Sequence, residues 1–223
     1  MKNIDANTRT FVISTLDDRA RERIRRISKH LARAGFQNVD IVQARTPETE
    51  DFENQGLPPV LQGRWHTDLR DWWGTAACAL SHLDFMKLDP SEFPIMVFED
   101  DAIIDFNFFR YLAEIDFPEG VAWDICHLSY FNENLSSAKY PQGVVHENLL
   151  RCAPNEITCT YSYVLNRPVF DRLVPLNEEI DCQLARMTDT IQSFVIEHQP
   201  PLTAPDFALQ SVRMELDDIS LAE

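Results

Sequence analysis

Between Phe93 and Asp101 the chain passes without a break from apolar to acidic residues. Ile95-Met96-Val97-Phe98 is an uninterrupted apolar run, preceded by Phe93-Pro94 and followed at once by Glu99-Asp100-Asp101. A strand without polar alternation is buried on both faces, the pattern of a strand inside a parallel sheet covered by helices. Open α/β sheets bind ligands beyond the carboxyl ends of their strands, so the three carboxylates lie where a ligand would. Adjacent acids repel one another, and burial raises their pKa values. A hard divalent cation, magnesium or manganese, removes that penalty, because carboxylate oxygens are its natural ligands. Asp is also common in turns. From the residues alone, the acids read either as a cation site or as a solvated turn closing the strand.

The totals narrow the function classes. A chain of 223 residues is expected to form one domain over 1–223, burying roughly 70–75% of its unfolded surface. Acidic residues outnumber basic ones by 36 to 20, for a net charge of −16. Such a field repels nucleic acid and anionic membrane, so no nucleic-acid partner is expected. No apolar signal region and no long apolar run is present, so no integral membrane segment is expected and the location reads as cytoplasmic. The five cysteines include no Cys-x-x-Cys pair and read as reduced, mostly buried thiols rather than a structural zinc site.

Glycine is informative by its scarcity. The six glycines are scattered, whereas a dinucleotide fingerprint, a P-loop and a serine-hydrolase elbow each need them clustered. The histidines have no His-Glu-x-x-His spacing, which excludes that helical zinc motif. A phosphorylated ligand would have to be held by cations and a metal instead.

Strands are expected at Thr10–Ser14, Val39–Val42, Trp123–Leu128, Thr158–Leu165 and Phe194–Ile196, with a hairpin joining Val144–His146 to Leu149–Cys152. Helical spacing of Ala20, Ile24, Ile27, Leu31 and Ala34 predicts an amphipathic helix stopped by Gly35, with Asp17 or Asp18 as its N-cap. Seven of the chain's Lys and Arg residues lie on this helix, most of them read as a solvated face. Arg19 and Arg23, four apart near its start, are placed to reach an anion beyond the first strand. Residues 45–64 are polar and proline-bearing, too long for an idle connection, and read as a lid or binding loop. Trp65, Trp72 and Trp73 follow, suited to stacking on a sugar or to core packing. Further helices are expected over Thr75–Lys87, Phe106–Leu112, Pro168–Leu173 and from about Asp181 to Ile191. Residues 132–143 read as a mobile loop and 215–223 as a fraying tail. The order, alternating α/β first and richer in strands later, predicts an α/β fold with one mixed, mostly parallel central sheet covered by helices.

Several of these stretches together resemble glycosyltransferase family 25, the lipopolysaccharide and collagen-type galactosyltransferases of GT-A-like nucleotide-sugar-binding fold. Phe11-Val12-Ile13-Ser14 with Arg19 and Arg23 is similar to the family's opening strand and spaced arginines. Ala44 stands where the family has an alanine after its second strand. Cys78-Ala79-Leu80-Ser81-His82 resembles its cysteine-to-Ser-His helix, and Phe98-Glu99-Asp100-Asp101 its acidic metal motif. Thr160-Tyr161-Ser162-Tyr163, Ile180-Asp181, Pro201-Leu202 and Ser211 match the later part in order. Where the family has Gly-Glu-Ile-Gly before the cysteine, this chain has Gly74-Thr75-Ala76-Ala77.

The resemblance implies metal-dependent transfer of a hexose, galactose in the first instance, from a UDP-sugar to a glycan or other hydroxyl-bearing acceptor, with inversion. It implies manganese or magnesium on Asp101 with Asp100. It places Ser14, Thr15, Arg19, Arg23, Ala44, Ser81, His82, Glu99 and Asp100 around the donor. Inversion requires a carboxylate base; Asp181 is the candidate, and it equally suits the N-cap of the helix at Cys182. Two other readings use the same acids: a metal-dependent phosphohydrolase or nucleotidyltransferase, and a non-catalytic homologue that binds UDP-sugar or glycan, to which Thr75 points.

Overall fold

A computed structural model describes residues 3–62, 71–115, 121–128, 144–146, 148–152, 160–198 and 200–206, together with backbone alone for Asp71 and 144–146. The expectations for Trp65, residues 132–143, Thr158 and Cys159, Ser211 and the tail from 215 lie outside the described residues.

The first part of the chain runs β1 (Thr10–Ser14), α1 (Ala20–Ala34), β2 (Val39–Gln43), α2 (Pro47–Glu50), α3 (Phe52–Gln55) and α4 (Asp71–Met86). Next come β3 (Ile95–Glu99), β4 (Ala102–Ile104), α5 (Phe108–Glu114) and β5 (Ile125–His127). The remainder is β6 (Val144–His146), β7 (Leu149–Arg151), β8 (Ser162–Leu165), α6 (Phe170–Leu173), α7 (Ile180–Arg186), β9 (Ser193–Ile196) and β10 (Thr203–Pro205).

Eight strands form one sheet in the order β2-β1-β3-β8-β5-β9-β7-β6, and β4 pairs with β10 in a separate ribbon. β1 is parallel to both β2 and β3, β8 is antiparallel to β3 and β5, β9 is parallel to β5, and β7 is antiparallel to β9 and β6. Only β7 and β8 therefore run against the other strands, and the expected mixed, mostly parallel sheet is present.

The residues of β3 explain its central place. Ile95 and Val97 point to one face, where they join Phe11, Ile13, Leu80, Leu83 and Tyr163; Met96 and Phe98 point to the other, with Val12, Ile27, Leu31 and Phe108. Both faces are covered, α4 and α7 lying on the first and α1 and α5 on the second. A strand with no polar side to show to water has to sit between two such layers.

Helix α1 ends as its sequence requires. Gly35 takes the left-handed conformation at φ 93° and its N–H reaches the carbonyls of Ala32 and Leu31, while the Phe36 N–H bonds the Leu31 carbonyl at 3.1 Å. This closes the last turn with a residue that has no Cβ to clash. At the other end, the Asp17 carboxylate accepts the Ala20 N–H at 2.8 Å, which holds its pKa below the ordinary value.

Other expectations are revised. Within the stretch read as a lid or binding loop, Thr46 and Thr49 form a capping box for α2 and α3 follows directly. Arg45 ties this segment to α4, bonding Asp84 at 2.6 and 3.0 Å and Glu50 at 2.9 Å. Helix α4 starts earlier than predicted, so Trp72 and Trp73 are helical and pack on the core rather than stand free for stacking. The helix expected to reach Ile191 stops at Arg186. The short strands β4 and β10 carry no alternation long enough to be read from sequence. Among the described residues no helix is long and apolar enough to cross a membrane.

Asp124, fully buried just before β5, is a second organising acid. It accepts hydrogen bonds from Arg172 at 2.8 Å, from the Gln192 N–H at 2.7 Å, and from Arg167. Burial works against its charge, but these bonds outweigh it and hold the carboxyl below its ordinary range. It thus ties β5, α6 and the approach to β9. Asp124→Ala strands that N–H and two guanidinium groups; we expect a loss of about 3 kcal/mol in urea unfolding. A midpoint within about 0.5 kcal/mol of wild type would show that the cluster holds nothing together.

Candidate active site

The sheet order creates a crevice at one place. β1 lies between β2 and β3. The chain leaves β1 through α1 to reach β2, and returns through α4 to reach β3 on the other side of β1. Because α1 and α4 cover opposite faces, the connections diverge above the carboxyl ends of β1 and β3. Such a switch point is where open α/β sheets hold ligands.

Asp100 fills the base of this crevice. Its N–H continues the ladder to the Ile13 carbonyl at 3.1 Å. Its Oδ2 accepts the Ser14 hydroxyl at 2.5 Å, and its Oδ1 lies 3.0 Å from Arg23 Nε, with both side chains about nine-tenths buried. The Nε–H is not aligned for a hydrogen bond, so charge rather than directionality carries that contact. Burial raises the Asp100 pKa, the Ser14 hydroxyl and the Arg23 charge oppose it, and the balance stays above the ordinary value.

Asp101, the next residue, has no such support. It is half-buried, and its Oδ1 is shielded from water with no hydrogen-bond partner among the described residues. Burial first, then repulsion from Glu99 and Asp100, pushes its pKa up to about 7. An orphaned, buried carboxylate oxygen beside a second carboxylate is a donor set that suits a hard divalent cation. The backbone carbonyl of Asp101 accepts the Asp206 N–H at 2.7 Å, and Asp206 is paired with Arg26 at 2.6 Å. The C-terminal ribbon strand thereby walls one side of the site.

Glu99 turns the other way. Its Oε1 lies 3.4 Å from His82 Nε2 and 3.4 Å from Thr160 Oγ1. His82 is wholly buried on α4, and its Nδ1 is 2.8 Å from the Tyr163 hydroxyl, whose pKa burial pushes well up. Cys78, one turn before His82, brings its sulfur to the same spot, so that Cys78, His82 and Glu99 converge with ligand atoms within 4.8 Å of one another.

Ser14, Arg23, Glu99, Asp100 and Asp101 are thus brought together at one crevice, with His82 beneath them. Arg23, read from sequence as an anion contact, lies against the Asp100 carboxylate, and Arg19 lies exposed at the start of the same helix. Thr15 continues from Ser14, its carbonyl accepting Gln43 Nε2 at 2.6 Å. Ala44 is buried, its N–H bonding the Ser14 carbonyl at 2.7 Å. Ser81 accepts the Arg45 N–H at 2.8 Å and donates to the Ala77 carbonyl at 3.0 Å. Asp181 lies in the first turn of α7, where Oδ1 accepts the Cys182 N–H at 2.8 Å.

Two features escaped the sequence reading. Leu16, just past Ser14, is 46% exposed and holds φ 58°, a conformation costing a non-glycine residue about 1 kcal/mol or more. An exposed, strained apolar residue at a ligand crevice is a functional mark with no sequence signal. Asp206 is the other, since only the tertiary fold carries it to Asp101.

The carboxylate pair thus stands at the switch point, where open α/β sheets bind their ligands. A sequence profile of glycosyltransferase family 25 (LPS biosynthesis protein) matches residues 7–188. The chain belongs to that family and is a glycosyltransferase. No curated protein sequence matches it significantly. Among solved structures, apo mouse xyloside xylosyltransferase 1 is similar at 10% identity and a TM-score of 0.39, covering 80% of this chain and 79% of that one.

The raised pKa of Asp101 has a sign that can be tested. A carboxyl whose folded pKa exceeds its unfolded value of about 3.9 contributes stability that is complete below that value. The contribution disappears as pH rises through about 7. In metal-free protein, the melting-temperature advantage of Asp101→Asn over wild type should grow between about pH 4 and pH 7 and then level off. A difference constant across that window would mean that Asp101 is an ordinary ionised carboxylate.

Proposed function

We propose that this glycosyltransferase moves a hexose, galactose in the first instance, from a UDP-sugar to a hydroxyl group of a glycan or similar acceptor, with inversion at the anomeric carbon. The observation that carries the reading is the buried Oδ1 of Asp101, unpartnered among the described residues, beside Asp100 at the switch point. Asp101, with the remaining lone pairs of Asp100, would hold manganese or magnesium. When bound, such an ion acts as a Lewis acid that offsets charge developing on the departing diphosphate.

The residues supply the rest by position. Arg23 and Ser14 fix Asp100, so the carboxylate pair presents a preformed acceptor surface instead of a flexible one. The tip of β1 and the strained turn at Leu16 form the side of the crevice open to the nucleotide, with Thr15 and Arg19 beside it. In the transfer itself, the acceptor oxygen bonds to the anomeric carbon as the carbon–oxygen bond to UDP breaks. The electron pair of that bond leaves with the diphosphate, and the hydroxyl proton passes to a carboxylate. Asp181 is our candidate for that base: it is half-exposed, and among the described residues only one of its oxygens is engaged.

A thermal-shift screen of nucleotide sugars with and without manganese tests the donor, because a ligand that binds only the folded state raises the melting temperature. UDP-galactose with manganese should stabilise wild type and leave Asp101→Ala unmoved. Equal stabilisation of both proteins would remove Asp101 from the site. Asp181→Asn should keep the donor shift while transfer falls on the order of 10²-fold or more; unchanged transfer would send the search for the base elsewhere.

A further inference from the structure

We propose that Cys78, His82 and Glu99 form a second, deeper metal site that takes a borderline-soft divalent ion, zinc by preference, distinct from the all-oxygen site at Asp101. The spacing comes first. Cys78 and His82 are four apart on α4 and share one face, and that face meets the end of β3, where Glu99 turns inward. One ligand atom from each lies within 4.8 Å of the others. His82 Nε2 and Glu99 Oε1 are 3.4 Å apart. Two ligands each about 2.0–2.1 Å from one tetrahedral ion are themselves separated by roughly 3.3 Å, so this pair already has the spacing of neighbours on a single ion. A small movement of the Cys78 sulfur completes a three-ligand set with one position left for water.

His82 supplies the second observation. Its side chain is wholly buried, and among the described residues Nε2 makes no hydrogen bond despite the nearby carboxylate. A polar atom left so in a protein interior is costly unless something else meets it. The other ring nitrogen is already placed as metal-binding histidines require, with Nδ1 2.8 Å from the Tyr163 hydroxyl. When Nδ1 carries the proton and donates it to Tyr163, the Nε2 lone pair faces the Cys78–Glu99 pocket. Thr160 stands by Glu99 in the same supporting way, 3.4 Å from Oε1. The donor chemistry selects the ion: thiolate with imidazole and carboxylate favours zinc, whereas magnesium and manganese favour oxygen alone. Cys78 and Glu99 are both partly exposed, which gives an ion access. On binding, the Cys78 thiol gives its proton to solvent, and the ion cross-links α4 to the acidic tip of β3.

Cobalt(II), a spectroscopic stand-in for zinc, provides the test on the full chain without nucleotide. One equivalent should produce a thiolate-to-cobalt charge-transfer band in the near ultraviolet and the strong visible bands of four-coordinate cobalt, and zinc should displace both. Cys78→Ser should abolish the charge-transfer band and weaken zinc at least about tenfold. Glu99→Gln serves as the second variant should Cys78→Ser not fold: it should keep the band and weaken zinc. Asp101→Asn should keep the band, which separates this site from the proposed donor site whatever the fate of that reading. A folded wild-type protein without the band, a band that survives in Cys78→Ser, or zinc affinity unchanged in Glu99→Gln would each overturn the proposal.

Discussion

One buried carboxylate holds the working end of the molecule together. Asp100 takes a hydroxyl from the end of β1 and a guanidinium from α1, and its own N–H extends the β1–β3 ladder. The consecutive elements β1 and α1 therefore meet the distant end of β3 at one group. Removing the Asp100 charge would leave Arg23 buried beside nothing, and a buried unpaired charge is among the most destabilising defects a fold can carry. The acid thus anchors the crevice, while its neighbour Asp101 is left with an oxygen that no described residue satisfies. Division of labour between adjacent acids follows from geometry. Successive residues at a strand end point to different sides, so one is pinned by the fold while the next is not held in the same way.

The same logic operates twice more. Asp124 is buried as deeply as Asp100 but is fully engaged by two arginines and a backbone N–H. Its pKa falls where that of Asp101 rises. Burial acts in the same direction on both; the difference lies in what surrounds them. Arg45 likewise binds Asp84 and Glu50, clasping the short helices after β2 against α4. In a chain with a net charge of −16, bases are outnumbered, and several arginines neutralise acids that the fold buries or half-buries.

Much of the fold was legible because its signals are local. The apolar run of β3, the helical spacing of α1 and the stop at Gly35 are each written within a few residues, and the structure bears them out. The acidic tip was legible for the same reason, since the carboxylates directly follow a strand that had to be buried. What could not be read is set by contacts across long sequence distances. Nothing near Arg23 says that its charge is taken by Asp100, and nothing near Asp206 says that it lies against Asp101. The segment after β2 looked like a loop because its helices span one turn each, too short for periodicity to show. The inward turn of Glu99 toward His82 was hidden as well, because residue type does not reveal which way a side chain at a strand end points.

The ribbon of β4 and β10 bears on how the protein is made. The Arg26–Asp206 ion pair joins residues 180 positions apart, and Asp206 also donates its N–H to the carbonyl of Asp101. A nascent chain emerging from the ribosome has β1, α1, β2 and β3 well before it has Asp206. Its acidic tip exists early, but one wall of the crevice is added only once β10 has emerged. The crevice is thus assembled in two stages, its floor from β1 and β3 and its wall from the ribbon.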